Sequence, residues 1–215
     1  MDDDAGPRPF SLRTSDGLAL EAEEHWPADP TSLVVLAHPH PLQGGSMRSL
    51  VTSELFRGLP GGGAAAVRFN FRGVEGSEGE HGGGTDERLD IEAAIDHVAA
   101  AAVERRATDV PLVLAGWSFG ADVSSTVDDA RLSGWFLIAP PLRLVHRDRM
   151  VAAQDHRPKR LVVPEHDQFC SPDRAREITS TWTNTSVEVI AGGDHFLAGR
   201  TAKVVDGLLG FAADL

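Results

Sequence analysis

The pentapeptide Gly116-Trp117-Ser118-Phe119-Gly120 constrains the fold of this chain more than any other feature. It follows an apolar run at residues 110–115 and precedes a stretch from residue 121 onward that favours a helix. A serine between glycines at this spacing is typical of a sharp strand-to-helix turn, where glycines keep Cβ atoms out of a crowded corner. The pattern predicts that Ser118 is a nucleophile, and the alternative in a chain with 22 glycines is a plain glycine-rich turn.

A base and an acid are expected downstream of Ser118. Where such a turn carries a catalytic serine, the acid and then the histidine follow it in the chain. His195 is the single histidine after Asp167, and it follows a β-branched run and a Gly-Gly turn. Asp167 follows another apolar run, which ends near Pro164. These positions predict a triad of Ser118, Asp167 and His195.

Two other acidic residues compete with Asp167 for the role of the acid. Glu165 lies two residues closer to the preceding apolar run and remains the alternative. Asp194 stands beside the histidine and is expected to cap the last helix. The apolar run at residues 134–139 ends in two prolines and has no carboxylate at its end. Asp167 is therefore the preferred acid.

Two further loops carry motifs of a known kind. Residues 36–46 are similar to a His-Gly-x-Pro loop, and residues 69–79 are similar to an Arg-Gly-x-Gly-x-Ser loop. Together with the serine turn and the triad order, they resemble the α/β-hydrolase superfamily, more closely its small capless members related to dienelactone hydrolases and compact bacterial esterases. Pro39 and Glu75 stand where glycine is common in that superfamily, so the backbone of both loops is expected to differ locally.

The resemblance implies an α/β-hydrolase fold, with one domain over residues 1–215. Its mostly parallel central sheet of about eight strands should have helices on both faces. Only ~20 residues separate the strand ending near Ala139 from the strand starting near Arg160, which is too few for a cap domain. Hydrophobic periodicity predicts strands at about 8–14, 18–26, 32–38, 67–71, 110–115, 134–139, 160–163 and 187–190, and helices at about 46–59, 87–106 and 196–212.

The resemblance also places an oxyanion hole in the loop after the third strand. Proline has no N–H, so Pro39 and Pro41 cannot donate there, and the N–H of His40 is the best donor, with that of Leu42 as the alternative. The N–H of Phe119 is the second donor, because it follows the nucleophile and begins a helix. His40 and Phe119 are therefore the predicted oxyanion hole.

These residues favour a serine hydrolase that cleaves carboxylic esters or thioesters through an acyl-enzyme on Ser118, without a cofactor. The partner would be a small ester or thioester, and Leu42, Trp117 and Phe196 are expected to contact it. A non-catalytic binding or regulatory module of the same fold, and an acyltransferase or perhydrolase with the same triad, remain alternatives. The acyl and leaving groups, the oligomeric state and the role of the Arg72-Gly73 loop stay open.

Other polar residues that could carry chemistry have simpler interpretations. His38 and His40 form a His-x-His pair, but the residues that follow supply no further ligand, so no metal is expected. His38 is instead predicted to orient its loop by hydrogen bonds. The single cysteine, Cys170, cannot form an internal disulfide and is expected to be a small packing residue.

The net charge limits which kinds of partner the chain is expected to bind. A formal charge of −12 argues against binding to nucleic acid or to anionic membrane surfaces. No apolar stretch approaches the ~20 residues of a membrane-spanning helix. Residues 1–4 are acidic where a signal peptide would be basic. A cytoplasmic location is therefore expected.

Overall fold

The computed structural model describes residues 6–215, so the acidic stretch at residues 2–4 lies outside the described residues. Its strands form one eight-stranded sheet. They are, in chain order, Arg8–Arg13 (β1), Ala19–His25 (β2), Ser32–Ala37 (β3), Ala64–Phe69 (β4), Leu112–Trp117 (β5), Gly134–Ile138 (β6), Lys159–Pro164 (β7) and Thr185–Ile190 (β8).

The order of the strands across the sheet is β1-β2-β4-β3-β5-β6-β7-β8. The pairs β1–β2 and β2–β4 are antiparallel, and the other five pairs are parallel. The prediction of a mostly parallel sheet of about eight strands is thus confirmed. Because β5, β7 and β8 are parallel, the loops that follow them meet at one edge of the sheet.

Helices cover both faces of this sheet, as predicted. Alternate residues of β3 pack on opposite sides, with Val35 in one apolar cluster and Val34 in the other. Apolar residues of α2, α3 and α4 belong to the first cluster, and those of α1 and α5 to the second. The helices are Leu50–Gly58 (α1), Glu87–Arg105 (α2), Phe119–Ser124 (α3), Pro172–Thr179 (α4) and Thr201–Ala213 (α5).

Three predicted elements begin three or more residues away from their predicted start. Strand β4 begins at Ala64, three residues before the prediction, because its alanines have little strand preference of their own and pair with β3 through their backbone. Helix α1 begins after Ser49, since residues 46–49 form a turn closed from the Ser49 N–H to the Ser46 carbonyl. Helix α5 begins at Thr201 and not at residue 196.

The predicted role of Asp194 as the cap of the last helix was also wrong. Its carboxylate accepts the N–H groups of Phe196 and Leu197, each at 3.1 Å, and so caps a separate turn. Gly199, with φ +69°, then ends that turn before α5 begins. Asp194 is therefore a capping residue, as its position suggested, but it caps the turn that follows His195 and not α5.

The connection between β6 and β7 contains only short turns of 3-10 helix, at Arg147–Arg149 and Val151–Gln154. The fold therefore has no cap domain over this edge of the sheet, as predicted. Two charged residues of this connection, Arg147 and Asp148, are exposed. In residues 6–215 no helix is both long enough and apolar enough to cross a membrane.

The Arg72-Gly73 loop, whose role the sequence left open, fastens three elements together. Arg72 is buried, and its guanidinium binds Asp90 of α2 at 2.7 Å and Asp16 of the β1–β2 turn at 2.9 Å. The Arg72 N–H also donates to Asp90 at 2.9 Å. Burial raises the pKa of Asp90 to about 6, although Arg72 acts in the opposite direction. The loop is a structural clamp, since Arg72 satisfies two carboxylates at once.

Glu75 occupies its unusual position in the second loop by adopting a glycine-like backbone. Its φ is +48°, the left-handed region that glycine would favour. Its carboxylate accepts hydrogen bonds from Asn70 at 2.9 Å and from Arg48 at 2.5 Å. The glutamate therefore keeps the left-handed turn and offsets the backbone strain with hydrogen bonds.

Candidate active site

Ser118 stands at the strained turn between β5 and α3. Its φ is +56° and its ψ is −118°, a conformation that costs free energy for any residue with a Cβ. A Cβ on Gly120 would lie 2.4 Å from the Ala37 carbonyl oxygen, and one on Gly116 would lie 2.4 Å from the Gly120 backbone. Gly120 is therefore required for α3 to pack so closely on β3, and Gly116 for the close turn from β5 into α3. The strained corner expected from the sequence is present.

The three residues of the predicted triad lie within hydrogen-bonding distance of one another. The Ser118 Oγ is 2.9 Å from Nε2 of His195, and Nδ1 of His195 is 2.8 Å from Oδ2 of Asp167. All three side chains are buried. Ser118 follows β5, Asp167 follows β7 and His195 follows β8. The parallel order of these strands brings together residues that are far apart in sequence.

Neighbouring groups hold Asp167 and His195 in place. The other carboxylate oxygen of Asp167 accepts the N–H groups of Phe169 at 2.8 Å and Cys170 at 3.1 Å. The indole N–H of Trp117 donates to the His195 carbonyl at 3.2 Å. With Asp167 as acceptor, His195 carries its proton on Nδ1, and its Nε2 is free to accept the proton of Ser118.

The alternative acid has a different place. Glu165 is exposed, and its carboxylate accepts the N–H of Gly192 at 2.7 Å, so that it fastens the turn before His195. Cys170 is buried in the apolar core beside Asp167, and burial raises the pKa of its thiol to about 11. It is a packing residue, as expected.

The loop after β3 is oriented by His38. Its Nε2 accepts the N–H of Phe71 at 3.0 Å, so the ring proton lies on Nδ1, which donates to the Pro39 carbonyl at 2.6 Å. Burial lowers the pKa of His38 to about 3, which keeps the ring neutral. His38 thereby joins the loops after β3 and β4, as the sequence predicted.

The backbone N–H groups of His40 and Phe119 face no acceptor among the described residues. The close approach of Gly120 to the Ala37 carbonyl brings the start of α3 against the loop that carries His40. The two side-chain rings lie 4.9 Å apart between their centroids. His40 and Ser118 line the same cavity. These positions are compatible with a pair of donors beside the nucleophile.

A cavity of about 670 Å³ opens at Ser118 and His195. Trp117 and Phe196, two of the three residues predicted to contact substrate, line it. Leu42 lies outside this lining and is 68% exposed, because it sits in a 3-10 turn closed at Gly44 in left-handed conformation. The other lining residues are Pro39, His40, Gln43, Gly44, Gly45, Ser49, Leu50, Pro141, Arg143, Leu144 and Phe169.

One wall of the cavity is held by Asp122, which sequence reasoning missed. Its buried carboxylate accepts the N–H groups of Leu142, Arg143 and Leu144 at 2.8–2.9 Å. Asp122 lies one helical turn after Ser118, on the side of α3 that is buried. A carboxylate at a buried position must have hydrogen-bond donors nearby, and this was the one feature of the sequence that could have predicted its role. Asp122 therefore ties the cavity wall to the helix that follows Ser118.

Asp122 should make stability depend on pH. Burial raises its pKa to about 6, above the ~3.9 of an unfolded chain, so the folded protein holds this proton more tightly. The stabilisation is present below about pH 4 and is lost as the pH rises through about 6. From pH 7 to pH 5, urea unfolding should show wild type gaining about 1 kcal/mol relative to Asp122→Asn.

The contribution of Asp90 cancels in this comparison, because both proteins contain it. A stability difference that is independent of pH, or that moves the other way, would mean that the three backbone donors outweigh burial and keep Asp122 ionised.

Comparison with known proteins gives matches over nearly the whole chain. The family model described as "Alpha/beta hydrolase domain" matches residues 30–206. The structure of an α/β serine hydrolase homologue from Coxiella burnetii has a TM-score of 0.82 and 26% identity, over 96% of this chain and 97% of that one. A lidless α/β serine hydrolase from Xanthomonas campestris has a TM-score of 0.82 and 25% identity, over 98% and 94%. An uncharacterised protein of Rickettsia prowazekii is 28% identical over 186 residues, which are 82% of this chain and 76% of its own.

Proposed function

Because this chain belongs to the alpha/beta hydrolase domain family, we propose that it is a serine hydrolase that cleaves carboxylic esters or thioesters through an acyl-enzyme on Ser118. One observation carries the proposal. The Ser118 Oγ, the His195 imidazole and the Asp167 carboxylate form a continuous hydrogen-bonded relay beside an apolar cavity. A buried relay of this kind activates a hydroxyl group that is otherwise a weak nucleophile at neutral pH.

In the acylation step, the Ser118 Oγ forms a bond to the acyl carbonyl carbon while its proton passes to Nε2 of His195. The carbonyl π electrons move to the oxygen, which the N–H groups of His40 and Phe119 stabilise. Asp167 accepts from the imidazolium that forms and keeps it oriented. The tetrahedral intermediate then collapses, and the leaving alcohol or thiol takes the proton from Nε2.

In the deacylation step, His195 removes a proton from water, and the resulting hydroxide oxygen bonds to the acyl carbon. Breaking the bond to the Ser118 Oγ releases the carboxylic acid and returns the proton to the serine. The absence of a cap over this edge leaves the cavity open to both substrate and water. The apolar lining favours an acyl or leaving group with hydrocarbon or aromatic surface.

A panel of substrates tests this function directly. Purified protein is mixed with 4-nitrophenyl acetate, butyrate and octanoate and with the matching acyl thioesters, and the released phenol or thiol is followed. We expect steady turnover of at least one series, preceded by a burst equal to the active-site concentration where deacylation is slow. Binding of an ester analogue by the folded protein without turnover of any series would contradict the proposal and favour a non-catalytic module.

A further inference from the structure

Among residues 6–215, Arg143 is the one lysine or arginine in the lining of the catalytic cavity, and no aspartate or glutamate of this range lines it. The remaining lining residues are apolar, small, uncharged polar or histidine. The chain as a whole carries a formal net charge of −12. A single permanent cation in the cavity of so acidic a protein gives that cavity a different electrostatic preference from the surrounding surface.

The guanidinium of Arg143 is exposed and has no hydrogen-bond acceptor or carboxylate partner in residues 6–215, unlike those of the two arginines that follow it in the same connection. Arg147 donates to the Leu142 carbonyl at 3.1 Å, and Arg149 donates to the Thr85 hydroxyl at 2.6 Å. The Arg143 guanidinium lies over the ring of Phe169, with 5.9 Å between its Cζ atom and the ring centroid. Its five N–H donors are thus available to a ligand.

The backbone of Arg143 is held at the cavity wall, and its guanidinium lies over a ring that is next to His195. The Arg143 backbone N–H donates to the buried Asp122 carboxylate at 2.9 Å. The Phe169 ring beneath the guanidinium lies 4.4 Å from the His195 ring, between centroids. One aromatic ring therefore lies between the cation and the proposed catalytic base.

We propose that Arg143 binds an anionic group on the substrate, so that the preferred substrates are esters or thioesters whose acyl chain ends in a carboxylate. This inference rests on the proposed hydrolase function. The apolar wall between Arg143 and His195 would hold the hydrocarbon part of the acyl chain, and the guanidinium would bind the terminal carboxylate through paired hydrogen bonds. The ester carbonyl would then lie at Ser118.

The test compares two esters that differ only in this charge. 4-Nitrophenyl hydrogen glutarate has a free terminal carboxylate, and 4-nitrophenyl methyl glutarate has the same chain with the carboxylate masked. The quantity measured is the ratio of kcat/KM for the anionic ester to kcat/KM for the neutral ester. Any effect that a substitution has on both esters cancels in this ratio.

In Arg143→Gln the ratio should fall about tenfold or more, and in Arg143→Glu it should fall further, because the new carboxylate repels the substrate. The loss should appear mainly in KM, and added salt should reduce the ratio in wild type. The matched control is Arg174→Gln, which removes the same charge from an exposed residue of α4 outside the cavity lining. Its ratio should equal that of wild type.

Two results would overturn the inference while leaving the hydrolase function intact. One is a ratio in Arg143→Gln equal to that of wild type, and the other is an equal fall in Arg174→Gln, which would indicate a long-range field and not a binding site. If wild type hydrolyses neither ester and none of the simple esters, the proposed function fails, and the substrate inference fails with it.

Discussion

We expect that replacing Ser118 by alanine lowers kcat for ester hydrolysis by ~10⁴-fold or more. The substitution removes the Oγ that lies 2.9 Å from Nε2 of His195, and with it the atom that would carry the acyl group. The remaining acceleration would come from the donors at His40 and Phe119 and from substrate binding. Steady-state kinetics on the best ester of the panel measures the loss.

The matched control for this variant is Ser124→Ala. Ser124 lies in the helix that follows Ser118, its hydroxyl is buried, and it has no hydrogen-bond partner in the described part of the chain. Removing that hydroxyl should leave kcat within a few-fold of wild type. If Ser118→Ala kept more than roughly a hundredth of the wild-type kcat, the serine would not be the nucleophile.

Replacing Asp167 by asparagine should lower kcat by ~10³- to 10⁴-fold with little effect on substrate binding. The amide group removes the charge that stabilises the imidazolium. The amide can also turn its NH₂ toward Nδ1 of His195, which would place the ring proton on Nε2. Nε2 could then not accept the proton of the serine hydroxyl. The N–H groups of Phe169 and Cys170 favour the amide oxygen of the asparagine on their side, so its NH₂ group would face His195.

Glu165→Gln distinguishes the two candidate acids. The amide oxygen of glutamine can still accept the N–H of Gly192, so the turn before His195 should persist and kcat should stay within a few-fold of wild type. The reverse outcome, with Glu165→Gln nearly inactive and Asp167→Asn active, would assign the acid to Glu165. Thermal unfolding of both variants checks that each remains folded.

The parts of the site that the sequence predicted depend on local chemistry. The turn at Ser118 needs glycine on both sides because backbone atoms lie within 2.4 Å of where a Cβ would stand. Asp167 and His195 each follow an apolar run that forms a strand. Because those strands are parallel to β5, the loops that carry the two residues lie at the same edge of the sheet as Ser118.

The parts that the sequence missed depend on tertiary contacts. Asp122 accepts N–H groups from residues about twenty positions later, and no short pattern encodes such a bond. The apolar character of Leu42 suggested a contact with substrate, but the left-handed turn at Gly44 leaves it outside the cavity lining. Phe169 lines the cavity because Asp167 holds its backbone, and its exposed ring had no periodicity to predict it.

The predicted starts of β4 and α5 were wrong because both depend on contacts outside the local sequence. Three alanines begin β4, and only pairing with β3 makes them a strand. The cap at Asp194 was recognised, but nothing local showed that the capped turn would end at Gly199 and not continue into a helix.

Intact-mass analysis after treatment with a fluorophosphonate probe tests most directly whether Ser118 is an activated nucleophile. The account predicts one adduct per chain in wild type, none in Ser118→Ala and full labelling in Ser124→Ala. Labelling that persists in folded Ser118→Ala, or folded wild type that takes no adduct, would contradict it.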